Sequence, residues 1–498
     1  MSEPAPEGTR FERLRGGRRA LDDAYLRADR LLDRGQQRAF RVLWFFLPET
    51  SVARQARFQQ VFASRFLSDT GQQALTYGAL IAVVRRGGSA FEAALVGVAT
   101  VVPAAAFGLY GGAVADALPK RVALAAVYNL QAALCFLIPT VAGTDLMPVL
   151  ALLFAVNLLG QVSGPTESAV LPYVATEEQL ASGASLISLA SNLGTAFGTA
   201  LLAPVLVRAF GVDAVFYVGG ALLVLAATRV FDLSAGDEPE RRYHWRDPPN
   251  INARAAVEWL LHERAVATMM LVAVLAGVSN VIMQTLAPRY VQGVLHVDPA
   301  DAVYVFAPSA VGLGSALLAG PPLIRRFRER PVALAGFVLT AASLVLLGMV
   351  GDVAPLLDPV NPLRVTGLLG IDLSERLRTA GLLAVPLGFG VSLTATSVQT
   401  YINRRVPLPL QGRAFALQST LKNGMTIVPL LTLGAVASAV GMGKVVVALP
   451  FVLVAGAVGL VLLSRRYGGR AEASRLEALQ SFWSEPAEVG GGTVEAGG

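Results

Sequence analysis

The feature that most constrains this 498-residue chain is a regular succession of apolar runs, each long enough to cross a bilayer. They fall at 58–84, 91–115, 121–142, 147–170, 180–207 and 212–232, and again at 265–288, 300–324, 331–351, 379–402, 412–438 and 443–464. A helix needs roughly 20 apolar residues to span a hydrocarbon core about 30 Å thick. Runs of this length and apolarity read as membrane-spanning helices. The expected fold is therefore all-α and integral to the membrane, with twelve transmembrane helices. Composition agrees: apolar residues make up 54% of the chain and charged residues 15%, against about 25% charged in soluble domains.

The same composition excludes several functions. The single cysteine, Cys135, allows neither an internal disulfide nor a thiolate metal cluster. The three histidines, His244, His262 and His296, lack ligand spacing, so no metal site and no cofactor are expected. There is no phosphate loop ending in GK[ST], no HExxH and no clustered carboxylates, which argues against an ATP-driven pump and against an enzyme.

Five segments follow from the pattern. Residues 1–57 form a polar, arginine-rich N-terminal tail in which Leu21, Tyr25, Ala28, Leu31 and Leu32 recur near helical spacing. They predict an interfacial amphipathic helix held to membrane lipids. Residues 58–233 and 265–464 are two six-helix bundles joined by a charged linker, 234–264, and residues 465–498 read as a disordered tail. The second bundle carries an extra segment, 352–378. The arginines orient this arrangement. With both termini inside, they crowd the N-tail, the linker, the C-tail and the connections at Lys120-Arg121, Arg325 to Arg330 and Arg404 to Arg413. Cytoplasmic termini and an external 352–378 segment are the expectation, in the plasma membrane. This distribution also accounts for the basic balance of the chain without nucleic acid.

The two halves echo each other. Pro103 precedes Lys120-Arg121 and a Val-Ala-Leu-Ala run from Val122; Pro308 precedes Arg325-Arg326 and a Val-Ala-Leu-Ala run from Val332. Ser188 to Asn192 is matched by Ser419 to Asn423, which sets Lys422 opposite Ser191 in the repeat.

Gly111-Gly112-Ala113-Val114-Ala115-Asp116, continuing to Lys120-Arg121, resembles the helix 2–3 signature of the major facilitator superfamily. Gly164-Pro165-Thr166-Glu167, with Asn192-Leu193-Gly194 and Gly412-Arg413-Ala414-Phe415, is similar to its enterobactin-exporter-like efflux branch. The resemblance implies two pseudo-symmetric six-helix bundles, alternating access, and a central cavity lined by helices 1, 4, 7 and 10. It also implies gating by Gly112, Asp116, Lys120 and Arg121, to which Glu167 at the end of helix 4 is added.

Ionisable and amide groups at bilayer depth are costly and mark function by default. On the implied cavity helices these include Arg65, Asp69, Gln72, Gln73, Asn157, Gln161, Asn280, Gln284 and Gln399; Lys422 is a cation on helix 11. Asp69 and Lys422 both lie about 16 Å along their helices, at matching depth, and are expected to act together in coupling or binding, Asp69 exchanging a proton. The leading expectation is a proton-coupled exporter of a small amphipathic molecule, working as a monomer. A lipid or lysolipid flippase is the alternative within transport, and a non-transporting scaffold or sensor the alternative outside it.

Overall fold

The structure, a computed structural model, describes residues 52–117, 119–143, 145–176, 179–231, 264–364, 373–406 and 408–467. The amphipathic N-terminal helix expected within 1–57, the linker 234–264 and the tail 465–498 fall almost wholly outside the described residues.

Twelve long helices carry the described chain, with no strand among them. In the first half these are α1 (Ala56–Arg85), α2 (Ala90–Ala117), α3 (Lys120–Ala142), α4 (Leu146–Val174), α5 (Leu180–Phe197, continued by a π-helical turn Gly198–Leu202 and by Ala203–Phe210) and α6 (Val212–Phe231). In the second they are α7 (Arg264–Tyr290, closed by a π-helical turn Val291–Leu295), α8 (Val303–Phe327), α9 (Glu329–Gly348), α10 (Glu375–Arg405), α11 (Leu408–Val440) and α12 (Met442–Tyr467). Ten of the described helices are long and apolar enough to cross a membrane. The two others complete the repeat: α1 is 30 residues long but polar through its middle, and in α12 the apolar stretch Met442–Val452 is shorter.

Tight reversals end the helices where glycine permits them. Gly87, Gly143, Gly211 and Gly441 all take positive φ, a region nearly free of steric cost only without a Cβ. The ninth helix stops at Gly348, short of the expected boundary. The chain turns at Met349 and enters a short helix, Val350–Leu357, and a 3-10 turn, Asp358–Val360. The extra segment is thus structured at both ends. Buried Asp358 accepts hydrogen bonds from Arg378 (2.9 Å) and Arg364 (2.9 Å), and these guanidinium bonds hold its carboxyl below the usual carboxylate range.

Packing repeats between halves. α1 lies against α5 and α6, α2 against α4, and α3 against α4 and α6; likewise α7 lies against α11 and α12, α8 against α10, and α9 against α10 and α12. Without a hydrophobic drive between helices in lipid, close backbone approach supplies much of the attraction. Gly336 of α9 faces Gly390 of α10, and Gly312 of α8 leaves room for the Val385 carbonyl of α10. A methyl group at Gly312 would overlap that carbonyl, whereas at Gly314, one turn-face away, it would meet open space. Gly312→Ala is therefore expected to destabilise the bundle by about 1–3 kcal/mol and Gly314→Ala by less than about 0.5 kcal/mol, read as thermal unfolding of the purified protein.

The halves meet along one seam and at one face. α2 and α11 pack closely: Gly434 accommodates Ala90 and Ala94, Gly97 meets Leu430 and Thr285, and Gly108 lies near Thr420. Elsewhere the contacts gather at the face opposite the one from which both termini leave. There the end of α5 reaches the α7–α8 connection, and α5 touches α8 through its Gly198–Leu202 turn.

Candidate functional site

The chemistry concentrates in the first half, halfway along α1. Arg65 and Asp69 are one turn apart and so share a face; the Arg65 Nε lies 2.7 Å from Asp69 Oδ2. α4 brings Glu167 to the other edge of the same guanidinium, which donates to it. α3 brings Tyr128, whose hydroxyl donates to the second Glu167 oxygen. α5 supplies Ser191, which accepts from Arg65 Nη2 at 3.2 Å.

The approach of α5 depends on Gly194. A Cβ there would sit 2.7 Å from the Phe66 carbonyl oxygen and 3.1 Å from the Asp69 Cβ. Side-chain exposure separates the two acids: Glu167 is 4% exposed, while Asp69 and Arg65 are 15% and 22% exposed. Asp69 is thus the more exposed of the two carboxylates.

One guanidinium serves two carboxylates. With both acids ionised the cluster carries one surplus negative charge at bilayer depth, where charge is expensive unless paired or wet. A single proton would balance it. What this arrangement can do chemically is bind and release that proton on an accessible oxygen beside a fixed cation.

The other residues expected from the sequence distribute as follows. Gln72 borders Gly160 beside Gln131 of α3, whose amide donates to the Val156 carbonyl at 2.8 Å. Asn157 donates to Leu153 O and Gln161 to Asn157 O, both within α4. The Gln161 side chain borders Gly108 opposite Thr420, linking α4, α2 and α11. Gln73 packs where Gly198 leaves space. Asn280 is half-buried on α7, and Gln399 is exposed on α10. Gly112 and Asp116 lie on α2, with their side chains outside the described residues, and Lys120 and Arg121 open α3 half-buried.

The sequence left open whether Asp69 touches Lys422: the ion pair of Asp69 is with Arg65, and among the described residues no ion pair links Asp69 to Lys422. The reason is proximity, because a cation one turn away on the same helix reaches the carboxylate first, while the Lys422 stem lies over Gly277 of α7. Glu167, placed with the gate by the sequence, has its carboxylate in the Arg65 cluster. Tyr128 was missed because helix 3 lies outside the implied cavity lining. Its one signal is a phenol within a membrane-spanning run, which needs a buried partner.

The closed face carries its own ion pairs between halves. Arg85 of α1 binds Asp298 at 2.9 Å, and Arg208 of α5 binds Asp301 at 2.5 Å. Partial burial pushes the Asp298 carboxyl up, but the Ala300 N–H and the Arg85 guanidinium outweigh it and hold the group below the usual range. Its contribution is therefore present above the ordinary carboxylate pKa of about 3.9 and is lost only as pH falls below that. Such exposed pairs contribute about 0–1 kcal/mol each. Asp298→Asn with Asp301→Asn should therefore lengthen, by a population shift rather than completely, the distance between spin labels at exposed Phe210 and Leu356.

A two-half helical bundle with a charge cluster at bilayer depth defines a membrane carrier of the facilitator type. Residues 61–429 match the Major Facilitator Superfamily, and the chain belongs to that superfamily. No curated protein matches the sequence. Among solved structures it resembles the nucleoside transporter NupG, at 14% identity over 82% of this chain and 99% of that one, with a TM-score of 0.62. It also resembles a bacterial homologue of the human lysosomal transporter Spinster in an inward-facing, unoccupied conformation, at 13% identity over 84% and 98%, TM-score 0.60. A bacterial homologue of the iron transporter ferroportin, inward-facing, follows at 12% identity over 83% and 99%, TM-score 0.57. At these identities the likeness is one of fold.

Proposed function

We propose that this membrane transporter is a proton-coupled exporter of a small amphipathic molecule, with both termini in the cytoplasm. The observation that carries the reading is the Arg65 cluster, in which two carboxylates compete for one cation and Asp69 is the more exposed of the two. Contacts between halves gather at the face opposite the termini, which corresponds to an inward-open state when the termini are cytoplasmic. The arginines at Arg325 to Arg330 and Arg404-Arg405 support that orientation. Export is supported by the resemblance of Gly164 to Glu167 to the efflux branch.

The test is accumulation of labelled amphiphiles by proteoliposomes. A panel of anionic, cationic and neutral head groups is offered with and without an imposed pH gradient. Uphill accumulation that collapses with a protonophore supports the reading; accumulation indifferent to the gradient contradicts it.

A further inference from the structure

Lys422 lies 14 residues into α11, about 21 Å along it. Its stem crosses Gly277 of α7, where a Cβ would sit 2.6 Å from the lysine Cδ and 3.0 Å from its Cγ. The missing side chain at 277 is what lets the lysine lie between the two helices. Half-buried there, its ammonium has no ion pair or hydrogen bond among the described residues. The acids that could neutralise it are committed elsewhere: Asp69 and Glu167 both bind Arg65. Asp116 is eight residues beyond the Gly108–Thr420 contact, about 12 Å of helix rise.

The repeat sharpens the point. Ser191 is the counterpart of Lys422, and it faces Arg65 across α1 and α5; Lys422 faces Gly277 across the matching pair, α7 and α11. The fold thus accepts a small neutral residue at this position, and the second half carries a cation instead. An uncompensated ammonium at bilayer depth is costly and stays charged only with water or an anion beside it. Lysine meets carboxylate and phosphate as a point charge with three donors.

We infer that Lys422, seated on Gly277, binds an anionic head group, a carboxylate or phosphate, of the transported amphiphile. The inference rests on the transporter reading and names its substrate class. It places proton exchange and substrate binding on different halves: the proton at Asp69 in the first, the anion at Lys422 in the second. Movement of the halves would then change the distance between the two sites.

The test uses the full-length protein in nanodiscs and four matched probes: biphenylcarboxylate, biphenyl phosphate, biphenylmethylammonium and biphenylmethanol. Calorimetry should give at least one of the two anions about tenfold or greater preference over the ammonium and the alcohol, the scale of a hydrogen bond to a charged group. Lys422→Gln should erase that preference and Lys422→Arg should keep most of it. Gly277→Val, which leaves the lysine in place but displaces its stem, should weaken anion binding without affecting the alcohol. Equal affinity across the panel in the wild type, or a preference surviving Lys422→Gln, would overturn the inference. Competition by lysophosphatidate but not by inorganic phosphate would assign the anion to a lipid head group; the reverse would assign it to a soluble phosphate, and either supports the site. Anion preference without gradient-driven flux would refute the transporter reading and leave the site standing. Proton-driven flux without anion preference would do the opposite.

Discussion

Asp69→Asn should reduce gradient-driven accumulation to the level of protein-free liposomes while downhill exchange and ligand binding persist. The amide keeps the size of the side chain and can still accept from Arg65, so the Gly194 contact and the α1–α5 packing remain. What disappears is the ionisable oxygen on the exposed edge of the cluster. Glu167 cannot replace it, being 4% exposed and held by Tyr128 on its second oxygen. Glu167→Gln is therefore expected to act differently: Arg65 then has a single carboxylate partner, the surplus charge is gone, and transport loses its pH dependence more than its rate.

Arg65→Leu has the largest expected effect on folding. It leaves Asp69 and Glu167 without a cation in a setting where Tyr128 and Ser191 offer only neutral hydrogen bonds. Removing one partner of a buried pair costs about 3–5 kcal/mol, because the remaining charge is stranded. Against a total stability of about 5–15 kcal/mol this should appear as poor recovery of monodisperse protein and a lower unfolding temperature. Arg65→Leu combined with Glu167→Gln and Asp69→Asn removes the stranded charges and should recover most of the loss. A triple variant no more stable than the single one would show that packing, not charge, is what Arg65 supplies.

Much of the architecture was legible because membrane helices are written in one variable, apolar run length. The limits of that reading are physical. The first helix was read as a span over 58–84 although its middle holds Arg65, Asp69, Gln72 and Gln73. The break after Gly348 was not found, since Met349 and Val350 continue the apolar run to 351 and only the backbone turn at Met349 interrupts it. In the site, Arg65 with Asp69 was visible from their spacing on one helix. Glu167, Tyr128 and Ser191 join it from three other helices, and sequence spacing carries no information about which faces those helices turn toward α1. Whether Asp69 and Lys422 touch was open in the sequence for the same reason: depth was computable, azimuth was not, and the ion pair of Asp69 is with Arg65.

A proton at Asp69, as proposed, would shift the balance between the two arrangements of the halves. The most direct measurement is electron-spin distance distributions on a Cys135→Ala background, which removes the one native thiol. One label pair sits at Val122 and Phe327, on the face of the termini, and another at Phe210 and Leu356, on the opposite face; all four side chains are exposed. Between pH 8 and pH 5 the wild type should exchange population between two distances at each face, in opposite senses, and Asp69→Asn should hold one distribution at both pH values. Distributions that shift with pH equally in Asp69→Asn, or do not shift in the wild type, would contradict the account.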